Sequence, residues 1–352
     1  MSSLYENEEV RFGNGFPSLI RFFKGDPNKP LVVFFPGWSH LGRISYGFSG
    51  CDEKHFLAYW LVKKGYSFLA TSYPIDHPVY ETVHPEFTLT DWGEMAADIV
   101  DQIITENSLK KNVIAINWSA SGQVIRPFNV ACMKRGIDVP FGLAIEATPG
   151  IQVPSDRTKG LKKTLKDMIS TKSALYDLFW KELREQSLKN STEIISRKQY
   201  EDHFLGDIPV AITGTDEFFE NKRFTEDAIK GLEDKGFFSF SEYPLVAIIS
   251  GNSNLVPYHP IVDKYTWGFL TTRKIYHDNF VNSQKLGSAV SEQKVNELIP
   301  YINSIPDLLS KVVAGNHFLF VGKKGARSVA NHLEKFDSEI EKIKTHISGM
   351  LS

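Results

Sequence analysis

Four short apolar runs, each closed by a turn, constrain this chain more than any other feature. Residues 29–35 (KPLVVFF), 66–72 (YSFLATS), 112–117 (NVIAIN) and 141–146 (FGLAIE) are largely apolar along their length, without the alternation that a strand with one wet face shows. Such runs suit strands buried on both faces, which belong to parallel sheets covered by helices on either side. The first ends at Pro36-Gly37, the second at Tyr73-Pro74 and the fourth at Thr148-Pro149-Gly150, where turn-forming residues interrupt the strand.

The segments between these runs carry helical spacing. Residues 55–64 (HFLAYWLVKK) read as one helix. Trp92, Met95, Ile99, Ile103 and Ile104 mark another, with Thr90-Asp91 suited to cap its start and Asn107-Ser108 to stop it. A third begins at about Ala120. Strands alternating with helices through short joints predict an α/β fold with a mostly parallel, doubly wound sheet. Near the other end, residues 310–314 (SKVVA) read as the final strand and 325–336 as a closing helix. Two segments compete to be the strand before it, 208–214 (IPVAITG) and 243–251 (YPLVAIISG), both with proline second and glycine last. Residues 155–204 are charged, helical in pattern and without a convincing strand. The expected organisation is a core in two parts, 1–149 and 206–352, separated by an inserted helical lid at 150–205. The run Arg157, Lys159, Lys162, Lys163, Lys166 inside the lid reads as a solvated helix face.

Composition narrows the function classes. A chain of 352 residues with 42% apolar and 12% aromatic residues buries a large core and is not disordered. Its length suits one large domain with an insertion. The formal charge of −2, with both signs interspersed, offers no attraction for nucleic acid or an anionic membrane. No uncharged apolar run approaches the ~20 residues of a membrane span. The start, MSSLYENEEVRFGNG, lacks a basic and then apolar export pattern, so the cytoplasm is the expected compartment. Two cysteines allow at most one disulfide, and Cys132 reads as a buried thiol in a helix. Gly13-Asn14-Gly15 does not join a strand to a helix, so no dinucleotide fingerprint is present, nor is a phosphate loop. The histidines form no spaced ligand set with the cysteines. Neither a metal nor another cofactor is expected, and the expected partner is a small-molecule substrate, with the oligomeric state left open.

The segment that carries chemistry is Val113-Ile114-Ala115-Ile116-Asn117-Trp118-Ser119-Ala120-Ser121-Gly122. An apolar strand ends on a serine flanked by small or adaptable residues. A tight strand-to-helix turn that lifts a hydroxyl above a sheet strains the serine backbone and crowds its neighbours, so Asn117, Ser121 and Gly122 must fit closely together. Asn117 stands where glycine is usual, and asparagine accepts positive φ better than most residues. Ser119 is therefore the candidate nucleophile.

With this elbow, the segment 29–150 and the last strand and helix, the chain resembles the α/β-hydrolase superfamily, in its serine-nucleophile branch. The resemblance implies an oxyanion hole of two backbone N–H groups, one from Ala120 after the nucleophile and one from Trp38 in the loop Phe35-Pro36-Gly37-Trp38, with Ser39 or His40 as possible additions. His317, after a short strand and in the setting Gly315-Asn316-His317-Phe318, is similar to the family's base. His77, His84 and His259 are flanked by proline and read as turn residues. The acid stays open. If 208–214 is the strand after the lid, Asp216 or its neighbour Glu217 follows it, and Asp216 ranks first. If 243–251 is that strand, residues 252–257 hold no carboxylate and the next is Asp263. Some family members carry the acid at the end of the strand before the lid, which is Glu146 here. The implied activity is that of a serine hydrolase on an ester-like or other acyl bond of a small hydrophobic substrate. Lactonase, thioesterase, peptidase and acyltransferase share this site logic, and a hydrolase-like binding protein without turnover is the alternative of another class.

Overall fold

The apolar runs form the centre of an eight-stranded sheet in the computed structural model, which describes residues 4–150, 161–252, 257–281 and 292–351. Strands β1 (Glu8–Gly13) and β2 (Phe16–Phe23) make an antiparallel hairpin at one edge. Then come β3 (Leu31–Phe35), β4 (Ser67–Ala70), β5 (Val113–Trp118) and β6 (Phe141–Ile145). Outside this sheet lie the short strands β7 (Lys162–Lys163), β8 (Ile169–Ser170), β9 (Glu217–Glu220) and β10 (Arg223–Glu226). The sheet closes with β11 (Leu245–Gly251) and β12 (Ser310–Val313). Its order is β1-β2-β4-β3-β5-β6-β11-β12, and every pair from β4 to β12 is parallel.

The packing explains why the central runs are apolar throughout. Val32 and Phe34 of β3 enter one core with Ile114 and Ile116 of β5. Leu31, Val33 and Phe35 enter the core on the other face with Val113 and Ala115. Successive side chains of a strand point to opposite faces, so a sheet covered on both sides favours apolar residues at nearly every position. Helix α1 (Leu57–Lys63) and the helix Lys323–Leu351 cover one face, and helices α2 (Leu89–Asn107) and α3 (Ile125–Lys134) cover the other. Helix α2 starts at a reciprocal cap between Thr88 and Asp91, two residues before the expected one, and buries the five expected apolar residues. The closing helix runs past the expected end at residue 336, because Ile340, Ile343 and Ile347 continue its buried stripe. Gly13-Asn14-Gly15 is the turn of the edge hairpin, with Asn14 and Gly15 both at positive φ. Both cysteines are free, Cys132 buried and Cys51 half-buried. No described helix is long and apolar enough to cross a membrane.

The competition to be the strand before the last one resolves in favour of 243–251, which supplies β11. Residues 208–214 form instead a short 3₁₀ turn at Val210–Thr213, ended by Gly214 at φ 72°. Ile208, Val210 and Ile212 all pack into a single core, whereas a sheet strand at this place must serve two faces as β11 does. The main sheet therefore resumes at Leu245 and not near residue 206. The excursion between β6 and β11 holds helices α4 (Lys172–Lys189), α5 (Arg197–Phe204) and α6 (Ala228–Asp234) together with the hairpins β7-β8 and β9-β10. Arg157 and Lys159 of the basic run lie outside the described residues. Lys162 and Lys163 sit on a strand rather than a helix, and Lys163 and Lys166 pair at the surface with Glu217 and Asp76.

One buried ion pair ties the excursion to the sheet near the candidate site. The Arg43 and Glu8 side chains are both wholly buried and joined by two hydrogen bonds of 2.8 and 2.6 Å. Arg43 also donates to the His203 carbonyl at the end of α5, and Glu8 accepts from Tyr46 Oη and the Tyr5 N–H. Removing one partner strands a charge without water, which typically costs about 3–5 kcal/mol. Glu8→Ala is expected to lower the unfolding free energy by roughly that amount in urea titrations, and a loss below about 1 kcal/mol would show that the pair is not a principal tie.

Candidate active site

Ser119 follows the last residue of β5 with φ at 59°, in the left-handed region that side-chain-bearing residues avoid. The turn that holds it there is crowded. A Cβ on Gly37 would stand 2.8 Å from the Ser119 Cβ, and one on Gly122 would stand 2.4 Å from the Thr148 carbonyl oxygen, so neither position admits a side chain. The Thr148 N–H donates to the Ser119 carbonyl at 3.0 Å, joining the turn to the loop after β6. Asn117 and Ser121 do more than stay out of the way. The Asn117 side-chain amide donates to the Ser121 carbonyl, and Ser121 Oγ is 2.9 Å from the carbonyls of both Phe35 and Trp118. Asn117 itself lies within β5 and is not at positive φ; the strained residue is the serine.

The two expected N–H donors flank this turn. Ala120 is in the first turn of the short helix Ser119–Val124, where leading N–H groups have no intrahelical acceptor. The Trp38 N–H has no acceptor among the described residues, while the Trp38 indole donates to the Ile212 carbonyl of the excursion. The suggested additions are engaged elsewhere. The Ser39 N–H donates to Tyr73 Oη at 2.8 Å. His40 donates from Nδ1 to the Trp38 carbonyl and accepts at Nε2 from Tyr200 Oη, both at 2.6 Å. Burial, helped by the nearby His317 charge and opposed by the Trp38 bond, pulls the His40 pKa down to about 3. His40 is therefore a neutral clamp that fixes the Trp38 backbone from α5.

His317 lies in the turn after β12, and its carbonyl accepts from the Trp118 indole at 2.8 Å. The carboxylate set against it is Glu146. Glu146 Oε2 is 3.3 Å from His317 Nδ1, and Oε1 accepts from the Gly251 N–H at the end of β11. Glu146 follows β6 with φ at 45°, and its N–H donates to the Ile249 carbonyl. Asp216, ranked first from sequence, is half-exposed and faces Lys235 at 3.7 Å; Glu217 is on β9, paired with Lys163. The segment that was to place Asp216 is not a sheet strand, so it does not deliver a carboxylate to the strand ends. Asp263 is wholly buried and contacts His259 Nδ1 at 3.1 Å. In the loop after β11, Asn252 bonds the Gly315 backbone through both its N–H and its side-chain oxygen, which steadies the turn bearing His317.

Two residues here escaped the sequence reading. His259 is no loop residue: it is buried in the first turn of helix α7 (Tyr258–Tyr276) and stacks on His317, with ring centroids 5.3 Å apart and planes at 25°. The spacing His259-x-x-x-Asp263 was the available signal, since residues four apart share one helix face. Glu182 of α4 is 1% exposed, and its Oε1 has no partner among the described residues. Burial raises its pKa, against the opposing charge of His317. Around these groups stand the rings of Trp118, His40, Phe179, Tyr200 and Phe318.

Burial by itself would raise the Glu146 pKa, but the His317 hydrogen bond, the charges of His259 and His317 and the Gly251 N–H together hold it below the ordinary glutamate value. A depressed carboxylate contributes stability above its unfolded pKa and loses that contribution as pH falls through the folded value. Glu146→Gln is therefore expected to lose less stability than the parent between pH 7 and the acid side of the carboxylate range. Urea titrations across that range check this, and parallel curves for the two proteins would contradict it.

No protein-family model matches the chain, and no curated protein matches it. Among solved structures, it is similar to an AqdC variant in complex with its substrate, described as recognising and cleaving the ring of the Pseudomonas quinolone signal. The identity is 11%, 93% of this chain and 99% of that one are covered, and the TM-score is 0.50. It also matches a thermophilic esterase from Thermogutta terrifontis at 9% identity over 94% of this chain and 99% of that one, with a TM-score of 0.48. A third match is Est1E from Butyrivibrio proteoclasticus with ferulic acid bound, at 12% identity over 95% and 100% of the chains, with a TM-score of 0.45. Likeness at such low identity speaks to architecture alone, and with the mostly parallel sheet and its strand order it gives this chain the α/β-hydrolase fold.

Proposed function

We propose that this protein is a serine hydrolase acting through an acyl-enzyme on an ester-like bond of a small hydrophobic substrate. The observation that carries the reading is a serine held at positive φ on the tip of β5, tied through Trp118 to the turn of a histidine and through its own carbonyl to the loop of the buried glutamate bonded to that histidine. Glu146 takes the Nδ1 proton of His317 in a hydrogen bond, which leaves Nε2 with a lone pair for the Ser119 hydroxyl. His317 accepts that proton as Ser119 attacks the acyl carbon, and the N–H groups of Ala120 and Trp38 hold the oxyanion. The leaving alkoxide takes the proton from His317. Water, deprotonated by His317, then releases the acid and returns the serine.

The aromatic rings around the site favour an apolar acyl or aryl group, and α4 and α5 serve as the lid, anchored through Arg43 and Tyr200. Thioester and lactone substrates need the same machinery. Glu146 supports turnover over a binding role without turnover, a reading that rested on the lack of an assured acid.

Ser119→Ala is expected to lower kcat for p-nitrophenyl butyrate by on the order of 10⁵–10⁶ and to abolish labelling by a fluorophosphonate. Glu146→Gln is expected to lower kcat by roughly 10³–10⁴, and Asp216→Asn to leave it within about twofold. A collapse with Asp216→Asn and not with Glu146→Gln would refute the acid assignment. Absence of both labelling and ester hydrolysis in the parent protein would refute the hydrolase itself.

A further inference from the structure

We propose that Glu146, His259 and His317 form a binding site for a divalent cation of the zinc type, and that its occupation switches the hydrolase off. One donor atom from each of the three side chains lies within 4.8 Å of the other two. Zinc at ~2.0 Å from its ligands spaces the donors of a tetrahedral shell ~3.3 Å apart. Glu146 Oε2 and His317 Nδ1 already stand 3.3 Å apart, longer than a strong charge-assisted hydrogen bond. The two edges to His259 are at most 4.8 Å, so closing them to that spacing asks His259 to move inward by at most about 1.5 Å.

The surroundings match what such a site needs. His259 contacts Asp263 through Nδ1, so its proton sits on that nitrogen and Nε2 presents a lone pair. A carboxylate behind a ligating histidine is the usual support of a zinc ligand, fixing the tautomer and raising its basicity. Glu146 Oε1 is engaged by the Gly251 N–H, which leaves Oε2 to bind. Glu182, with its unpartnered and buried Oε1, is on the turn of α4 whose carbonyl accepts from Asn316, next to His317. Its carboxyl adds to the attraction for a cation near His317. Two imidazoles and one carboxylate favour zinc over magnesium, which prefers oxygen ligands in an octahedron. His317 is the most exposed of the three side chains at 12%, against 3% for each of the others, so the ion enters over His317. Water completes the shell.

The effect on the base follows from proton counting. Zinc takes the lone pair of His317 Nδ1, so the ring's single proton leaves Nδ1 and is regained from solvent on Nε2, with no net change in the protons bound. That nitrogen has no lone pair left for the Ser119 hydroxyl, and Glu146 is spent on the metal. No electron is transferred, and chelation returns the proton to Nδ1 and restores the activity.

This switching half rests on the hydrolase reading, while the binding half does not, so the two are tested separately. Calorimetric titration of zinc chloride into the parent protein and into Ser119→Ala is expected to show one site of micromolar or tighter affinity in both, with a heat that is the same in buffers of different ionisation enthalpy. His259→Asn and His259→Gln are expected to weaken it at least tenfold, and Asp263→Asn by roughly 10–100-fold. Thermal melts in EDTA verify that these variants remain folded. Magnesium chloride is expected to give no heat. In the ester assay, zinc is expected to silence the parent reversibly, while the activity of the His259 variants, each measured against its own rate in EDTA, resists the metal. Equal zinc affinity in the parent and a folded His259 variant would overturn the site. Binding that depends on His259 without loss of activity would overturn the switch, and binding in a protein that hydrolyses no ester would leave the site standing and refute the hydrolase.

Discussion

A serine at φ 59° on the end of a buried strand is the constraint around which the rest of this structure is arranged. The conformation costs of order 1–3 kcal/mol and persists only where the surroundings over-determine it. Here they do so by close approach. Gly37 and Gly122 let the loop after β3 and the loop after β6 press against the turn, and Ser121 and Asn117 bond its carbonyls. The same contacts bring together what the proposed chemistry uses. The loop after β3 carries the Trp38 N–H, and the loop after β6 carries Glu146.

The carboxylate beside His317 comes from the end of β6, and this sets how the pair is braced. Glu146 is held from the neighbouring strand by the Gly251 N–H, and its partner His317 sits on a turn that Asn252 steadies through the Gly315 backbone. Asn252, just past β11, thus acts by hydrogen bonds to the Gly315 backbone. Helix α7, next in the chain, sets His259 and Asp263 against the far side of the pair. A buried anion thereby faces two imidazoles, which is why it stays depressed in pKa despite its burial.

The excursion between β6 and β11 is joined to the site by polar ties that span long stretches of chain. Arg43 reaches the His203 carbonyl, His40 meets Tyr200, the Trp38 indole meets Ile212, and Asn316 meets Glu182. Each tie ends on a loop at the strand ends. A buried group left without its partner carries a desolvation cost, so these pairings specify one seating of the helices over the sheet more sharply than their apolar contacts do.

What the sequence determined by itself is the part written in local pattern. Unbroken apolar runs implied strands covered on both faces, and β3, β4, β5 and β6 are such strands; the residues around Ser119 implied a tight turn, and Ser119 is at positive φ. The edge hairpin β1-β2 went unread because its alternation is mixed, with Phe12 exposed and Ser18 buried. Residues 208–214 and 243–251 share proline, an apolar stretch and a closing glycine. Only packing decided between them, since one has room to serve two faces and the other a single core. The identity of the carboxylate beside His317 was beyond local pattern for the same reason. Glu146, Asp216 and Asp263 are each a plain acid near a turn, and a hydrogen bond across 171 positions of chain exists only once β6, β11 and β12 lie side by side. Tertiary structure alone made that choice, because the distance between two side chains far apart in sequence is a property of the assembled sheet.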